Sequence, residues 1–194
     1  MITSFYKLLS FLVLGVTLTL VLPPLSSQSA DINVVENTMS NFTIKTSPTL
    51  VPELNFLNEQ GVSLSLKEFR NKVLLVNLWA TWCAPCRHEM PALDALQGDL
   101  GSSEFQVVAI STDRRGREVV RDFYDKLGIE NLAIYNDKTM KAPLALRVRG
   151  LPTTLLIDRK GREIGRLVGP ARWDSKEAKE LIGNYIMPNT ACCQ

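Results

Sequence analysis

The sequence predicts an α/β fold, a central mixed sheet flanked by helices, with a β-hairpin extension on its N-terminal side. Three observations carry this. Val73–Trp79 (VLLVNLW) and Phe105–Ser111 (FQVVAIS) are nearly continuous apolar runs, the pattern of strands covered on both faces. Segments with apolar residues at helical spacing alternate with them. Two further apolar stretches around a short turn, then a closing helical segment, end the domain. Strands that first alternate with helices and then form a hairpin indicate a layered α/β sandwich.

Taken in chain order, the N-terminus stands apart. Residues 8–30 carry no charged side chain, Lys7 precedes them, and residues 8–22 are strongly apolar. Pro23 and Pro24 end any helix there, and Ser26-Ser27-Gln28-Ser29-Ala30 is small and polar. These are the three regions of a secretory signal peptide. The apolar core of 15 residues is shorter than the ~20 a spanning helix needs. That favours cleavage over retention as an inner-membrane anchor, and both readings put the rest of the chain in the periplasm. Residues 31–50, rich in Asn, Ser and Thr, read as a linker. Residues 51–187 form the expected domain and 188–194 a tail. Within the domain, residues 54–64 suit a hairpin around Glu59-Gln60-Gly61, and Leu66–Phe69 a single helical turn. Residues 83–98 suit a helix ending near Gly98. In 117–127, Val119, Val120, Phe123 and Leu127 recur at helical spacing, and Gly128 is placed to cap the C-terminus. Residues 132–135 suit a short strand and 138–146 a short helix. Residues 153–158 and 163–168 pair across Arg159-Lys160-Gly161, and 175–186 close the fold.

Composition narrows the function. Of 194 residues, 45% are hydrophobic and 22% charged, as in packed globular proteins rather than disordered ones. A net charge of +2 is too small to indicate nucleic-acid binding, so no nucleic acid is expected as a partner. The run Asp113-Arg114-Arg115-Gly116-Arg117 is locally basic, but Asp113 and Glu118 flank it. It reads as a solvated loop entering a helix.

The segment that carries chemistry is Trp79-Ala80-Thr81-Trp82-Cys83-Ala84-Pro85-Cys86, where a buried strand gives way to a helix. A Cys-x-x-Cys pair in that setting reads as a redox dithiol. At the helix start the Cys83 sulfur faces unpaired backbone N–H groups and the positive end of the helix dipole. That favours the thiolate, the attacking species. Cys86, one turn on and less exposed, is placed to resolve a mixed disulfide. Thiolate fraction alone explains little. A thiol of pKa ~8.5 is ~3% ionised at pH 7, and lowering it to ~7 raises that ~15-fold. A Brønsted slope of ~0.4–0.5 takes back about fivefold. Leaving-group ability and capture by Cys86 must supply much of the rest.

Other uses of the pair fit less well. A zinc site needs four ligands, and the other thiol or imidazole donors are His88 and the adjacent Cys192 and Cys193 of the tail. A c-type haem site needs Cys-x-x-Cys-His, and Arg87 stands in the histidine's place. No metal is expected, and no cofactor beyond a Cys83–Cys86 disulfide. A purely structural bridge is disfavoured by the flanking tryptophans at a strand–helix junction. Trp79 and Trp82 read as packing and rim, Trp82 and Pro85 belong to the surface a substrate would meet, and His88 reads as a surface helix residue. The tail cysteines are free, cross-linked or metal-binding.

Val-Asn-Leu-Trp-Ala-Thr-Trp-Cys-Ala-Pro-Cys-Arg-His-Glu-Met-Pro (76–91) and Gly-Leu-Pro-Thr-Thr-Leu-Leu-Ile-Asp (150–158) together resemble the TlpA-like branch of the thioredoxin superfamily, close to ResA and CcmG proteins. The resemblance covers roughly residues 50 to 185 and implies a thioredoxin-like fold. It implies that Pro152 is a cis-proline beside the dithiol, and that Leu151 presents backbone groups to a substrate strand. Read alone, Gly-x-Pro-Thr before a strand would be a trans turn proline. Asn77 stands six residues before the first cysteine, where thioredoxin has a buried aspartate, and an amide is no proton acceptor. Glu89, three residues after Cys86 and adjacent to it on a helix, is the replacement. ResA-like proteins carry an active-site glutamate at the matching place. A partly buried carboxylate there would oppose thiolate formation and shuttle protons.

The function expected is an extracytoplasmic thiol–disulfide oxidoreductase that reduces partner-protein disulfides through Cys83 and Cys86. The resemblance implies work in cytochrome oxidase or cytochrome c biogenesis, with a copper-delivery protein or apocytochrome c as substrate. A reductant outside the cytoplasm needs electrons from a membrane thiol-reductant carrier. The alternative is a non-catalytic copper-binding chaperone using the same sulfurs as soft ligands. Sco proteins of that kind have Cys-x-x-x-Cys and a distal histidine. This chain has one spacer residue fewer and no histidine after His88.

Overall fold

The computed structural model describes residues 38–187. The expected export segment (1–30) and the tail with Cys192 and Cys193 lie outside the described residues. The strands are β1 (Thr43–Leu50), β2 (Asn55–Asn58), β3 (Ser63–Ser65), β4 (Val73–Trp79), β5 (Phe105–Ser111), β6 (Tyr135–Asn136), β7 (Thr153–Ile157) and β8 (Arg162–Val168). They form one sheet in the order β1-β8-β7-β4-β5-β6-β2-β3. The β4–β5 and β5–β6 pairs are parallel and the others antiparallel, so the sheet is mixed, as expected. The helices are α1 (Ala84–Leu100), α2 (Arg117–Leu127), α3 (Lys141–Ala145) and α4 (Lys176–Ile186). Among the described residues no helix is long and apolar enough to cross a membrane.

The apolar run of β4 earns its place at the centre. All seven of its residues are buried, and alternate side chains serve opposite faces. Val73, Leu75 and Trp79 pack with Leu93 and Leu96 of α1, Phe123 of α2 and Ile182 of α4. Leu74, Val76 and Leu78 pack with Phe56, Phe69 and Ala142 on the other face. Each fully buried side chain of this size contributes about 1.5–3 kcal/mol.

The expected hairpin is β2–β3, and it pairs through β2 with β6. The linker expected over 31–50 is corrected in its second half. Residues 43–50 are edge strand β1, with Thr43 opposite Arg166 and Leu50 opposite Arg162, so the folded domain begins before residue 51. The polar sequence TIKTSPTL hides this strand because seven of its eight residues are exposed, leaving no alternation to read. Pro48 is tolerated because the strand is an edge. Helix α1 runs past Gly98 to Leu100, whereas β6 and α3 are shorter than expected.

Register places the reactive end. Trp79 at the end of β4 lies beside Ser111 at the end of β5, and Leu78 faces Thr153 at the start of β7. The segments after Trp79, after Ser111 and before Thr153 therefore meet at one end of the sheet.

Candidate active site

Cys83 caps the N-terminus of α1. Its backbone is extended (φ −85°, ψ 106°), and its Sγ accepts from the Cys86 N–H at 3.3 Å. Pro85 sits in the first turn, where its missing N–H costs nothing. The two sulfurs are bonded, with Cα atoms 5.3 Å apart, so the expected pair is a disulfide. Cys86 is fully buried, and Cys83, though also buried, keeps 6% exposure, so the first cysteine is the less enclosed of the two. Trp82, at 68% exposure, forms a rim. Trp79 does not share it: it is fully buried and stacks on Tyr124 with ring centroids 5.8 Å apart.

Pro152 follows a cis peptide bond from Leu151. Its carbonyl accepts from the Gly169 N–H at 2.9 Å, and Thr153 Oγ1 donates to Gly150 O at 2.7 Å. These bonds tie the loop to β8 and to itself. Leu151, half-buried, packs against the apolar cluster that contains both cysteines.

Glu89 projects from α1 into the core and is only 2% exposed. Its Oε1 accepts from Asn77 Nδ2 at 2.8 Å, and its Oε2 from the Ala171 N–H at 3.1 Å and Trp173 Nε1 at 3.2 Å. Asn77 Nδ2 also donates to Thr154 Oγ1 at 2.9 Å. Burial pushes the Glu89 carboxyl up to about 7, against the opposing pull of Asn77, Ala171 and Trp173. A group poised there exchanges protons readily at neutral pH.

Asp113 overturns part of the solvated-loop expectation. It is buried, and its carboxylate accepts from Thr81 N–H at 2.9 Å, Thr81 Oγ1 at 2.7 Å and Ser111 Oγ at 2.7 Å. It therefore fixes the turn that presents Cys83, while Arg114 and Arg115 beyond it are exposed. Sequence reading missed Asp113, and missed Trp173 and Ala171 as partners of Glu89. No local pattern marks them, because each acts across a long separation in the chain. Asn77 and Glu89 were both singled out, and the fold brings them together. His88 is exposed on α1. Among the described residues no three His, Cys, Asp or Glu side chains converge as a metal site would require.

A mixed sheet that delivers a Cys-x-x-Cys disulfide at a helix start, beside a cis-proline loop, defines a thioredoxin-fold thiol–disulfide oxidoreductase. Comparison with known proteins agrees: the Redoxin family pattern matches residues 35–182, and the chain belongs to that family. It is 28% identical to thiol-disulfide oxidoreductase ResA of Bacillus thuringiensis (strain Al Hakam) over 127 residues, 66% of this chain and 69% of that one. It is 34% identical to ResA of Halalkalibacterium halodurans over 110 residues, 56% of this chain and 61% of that one. Among solved structures, a DsbE-type thiol:disulfide interchange protein of Chlorobium tepidum superposes with TM-score 0.65 at 25% identity, covering 75% of this chain and all of that one. A DsbF homologue of Corynebacterium diphtheriae superposes with TM-score 0.58 at 26% identity, covering 73% and 88%. The chain is thus a TlpA/ResA-like member of the thioredoxin group.

Proposed function

We propose that the protein is a periplasmic reductase of partner-protein disulfides that serves cytochrome oxidase or cytochrome c assembly. The observation that carries the reading is the asymmetry of the pair: Cys83, at the helix start, keeps 6% exposure, while Cys86 is fully buried one turn from the buried Glu89. In the reduced enzyme, the Cys83 thiolate attacks one sulfur of a disulfide docked along Leu151 and Pro152, with Trp82 and Pro85 completing the contact surface. A Cys83–partner disulfide forms, and the partner's other sulfur leaves as a thiolate. Cys86 gives its proton to Glu89 and attacks Cys83 Sγ. The partner's second sulfur leaves, and the Cys83–Cys86 disulfide forms. The partner has then gained two electrons, and its two thiolates take protons from solvent and Glu89. A membrane thiol-reductant carrier returns two electrons to the enzyme.

A copper-delivery protein or apocytochrome c is the proposed substrate, as the TlpA-like resemblance implies. The apolar segment 8–22 supports export, with the domain released by cleavage or held at the inner membrane. Trapping tests the scheme. A Cys86→Ser variant is expected to hold its substrate as a mixed disulfide through Cys83, and the wild type to reduce insulin. No trapped protein and no insulin reduction would defeat it. Stoichiometric Cu(I) retention without turnover would instead establish the copper-chaperone alternative.

A further inference from the structure

Arginines near the dithiol differ from most others in the molecule. Arg121, Arg159, Arg162 and Arg166 each meet a carboxylate within 3.3 Å. Arg87, Arg114, Arg115, Arg147 and Arg149 are exposed. Among the described residues, none of these five has an ion pair or a side-chain hydrogen bond. Arg70 is also without one, but it precedes β4 and so lies at the opposite end of the sheet.

Register brings the segments that carry the five to one end of the sheet. Arg114 and Arg115 follow Asp113, whose carboxylate grips Thr81 two residues before Cys83. Arg87 is one turn past Cys83 on α1, its N–H donating to Cys83 O at 3.0 Å. Arg147 and Arg149 lie on the segment that delivers Leu151 and Pro152 to the start of β7, opposite the end of β4. Trp82, next to Cys83, adds an exposed aromatic face. Opposing charge is sparse. Asp113 and Glu89 are buried and already accept hydrogen bonds. Glu118, whose carboxylate lies over Gly116, is the one exposed acid on these segments.

Clustered cations with no partner repel one another and contribute nothing to folding. Exposed guanidinium groups are, however, well suited to carboxylates in a partner, and Arg and Trp are the side chains that anchor protein interfaces. We infer that these arginines form a basic collar around Cys83 that selects partner disulfides flanked by aspartate or glutamate. The inference rests on the disulfide-reductase reading and gives that reading its substrate class, an acidic protein segment. An anionic membrane is the poorer occupant, because a bilayer on this face would seal Cys83 from any partner.

The test uses two peptides, each with one internal disulfide, identical except that the bridge is flanked by glutamates in one and serines in the other. Reduced full-chain protein is expected to favour the glutamate peptide roughly tenfold in kcat/KM at 50 mM salt, mostly through KM, since a few exposed charge contacts each contribute modestly. At 0.5 M salt the preference should fall below about threefold, as screening shortens the reach of each charge. The variant R114E/R115E/R149E should abolish or invert the ratio, while R70E leaves it unchanged; a ratio within one variant is immune to a general loss of activity. Binding of the same peptides with serine in place of both cysteines reads the preference without turnover. A preference there with no reduction upholds the collar and defeats the reductase reading. Equal kcat/KM and equal Kd for the two peptides, or a preference indifferent to salt and to the triple variant, would overturn the collar. So would sedimentation with phosphatidylglycerol vesicles that the triple variant abolishes, if no peptide preference accompanies it.

Discussion

Glu89 accepts hydrogen bonds from Asn77, Ala171 and Trp173, yet burial still lifts its carboxyl to about 7. The sign of the consequence follows from linkage. In the unfolded chain the group titrates near 4.5, so between 4.5 and 7 the folded state binds the extra proton and stability falls as pH rises. The stabilising effect of the bound proton is complete below 4.5 and gone above 7. Its size is about 3 kcal/mol at ~1.4 kcal/mol per pKa unit. Glu89→Gln is therefore expected to match the wild type in urea unfolding at pH 4 and to exceed it by up to about 3 kcal/mol at pH 8. The gain requires Asn77 to turn its amide, so that its Oδ1, without a partner among the described residues, receives the new amide N–H. The same variant should lose the acid limb near pH 7 from its insulin-reduction profile, having no carboxylate to receive the Cys86 proton. Asn77→Asp makes the opposite change. It removes a donor from Glu89 and adds a like charge beside it, and both raise the Glu89 pKa. The acid limb of the profile should move above 7, measured under identical salt.

Edge strand β1 shows what holds a segment that buries almost nothing of its own. Lys45 Nζ reaches Glu163 at 2.7 Å, and Phe42 lies over Gly165, where an added Cβ would stand 2.6 Å from Phe42 Cε1 and from Thr43 O. One of those atoms is backbone, so Gly165→Ala must push β1 from β8. Overpacking of this kind costs about 1–3 kcal/mol. Limited proteolysis should then cut within residues 43–50, where the wild type resists. Asp113 works similarly between elements. Asp113→Ala would strip Thr81 of two bonds, at about 2–4 kcal/mol, whereas Asp113→Asn keeps an acceptor and should lose less in thermal unfolding. These two features mark where sequence reading stops. Strands β4 and β5 were legible because burial on both faces leaves an uninterrupted apolar run, and α2 because its apolar residues keep helical spacing up to Gly128, whose φ of 65° ends it. The dithiol was legible because the Cys-x-x-Cys spacing is itself local. β1 was not, because exposure erases its pattern. Asp113 and Trp173 were not, because their roles depend on partners brought from 32 and 84 residues away.

The direction of electron flow belongs to the whole molecule, since a dithiol's potential reports the relative stability of the oxidised and reduced folds. A strong oxidant is one whose reduced form the fold stabilises. Here, among the described residues, one donor points to Cys83 Sγ, the Cys86 N–H at 3.3 Å. Cys86 is fully buried, with the Glu89 carboxyl one turn beyond, so burial and charge both disfavour its thiolate. The helix start and this N–H favour the Cys83 thiolate, whereas among the described residues nothing offsets the opposition at Cys86. In addition, the disulfide closes a loop with a sequence separation of 3, and a ring that small removes about 2 kcal/mol of chain entropy from the unfolded oxidised state. The Cys86 effects and the loop closure, outweighing the single N–H at Cys83, make the oxidised fold the more stable one. In paired urea titrations at pH 7, the oxidised protein should unfold at the higher midpoint, by about 2 kcal/mol. At ~30 mV per 1.4 kcal/mol, that places the folded dithiol below an unfolded Cys-x-x-Cys by roughly 40 mV, the side on which a reductase works. A reduced form that outlasts the oxidised one in urea would make the protein an oxidant and reverse the electron flow proposed for it.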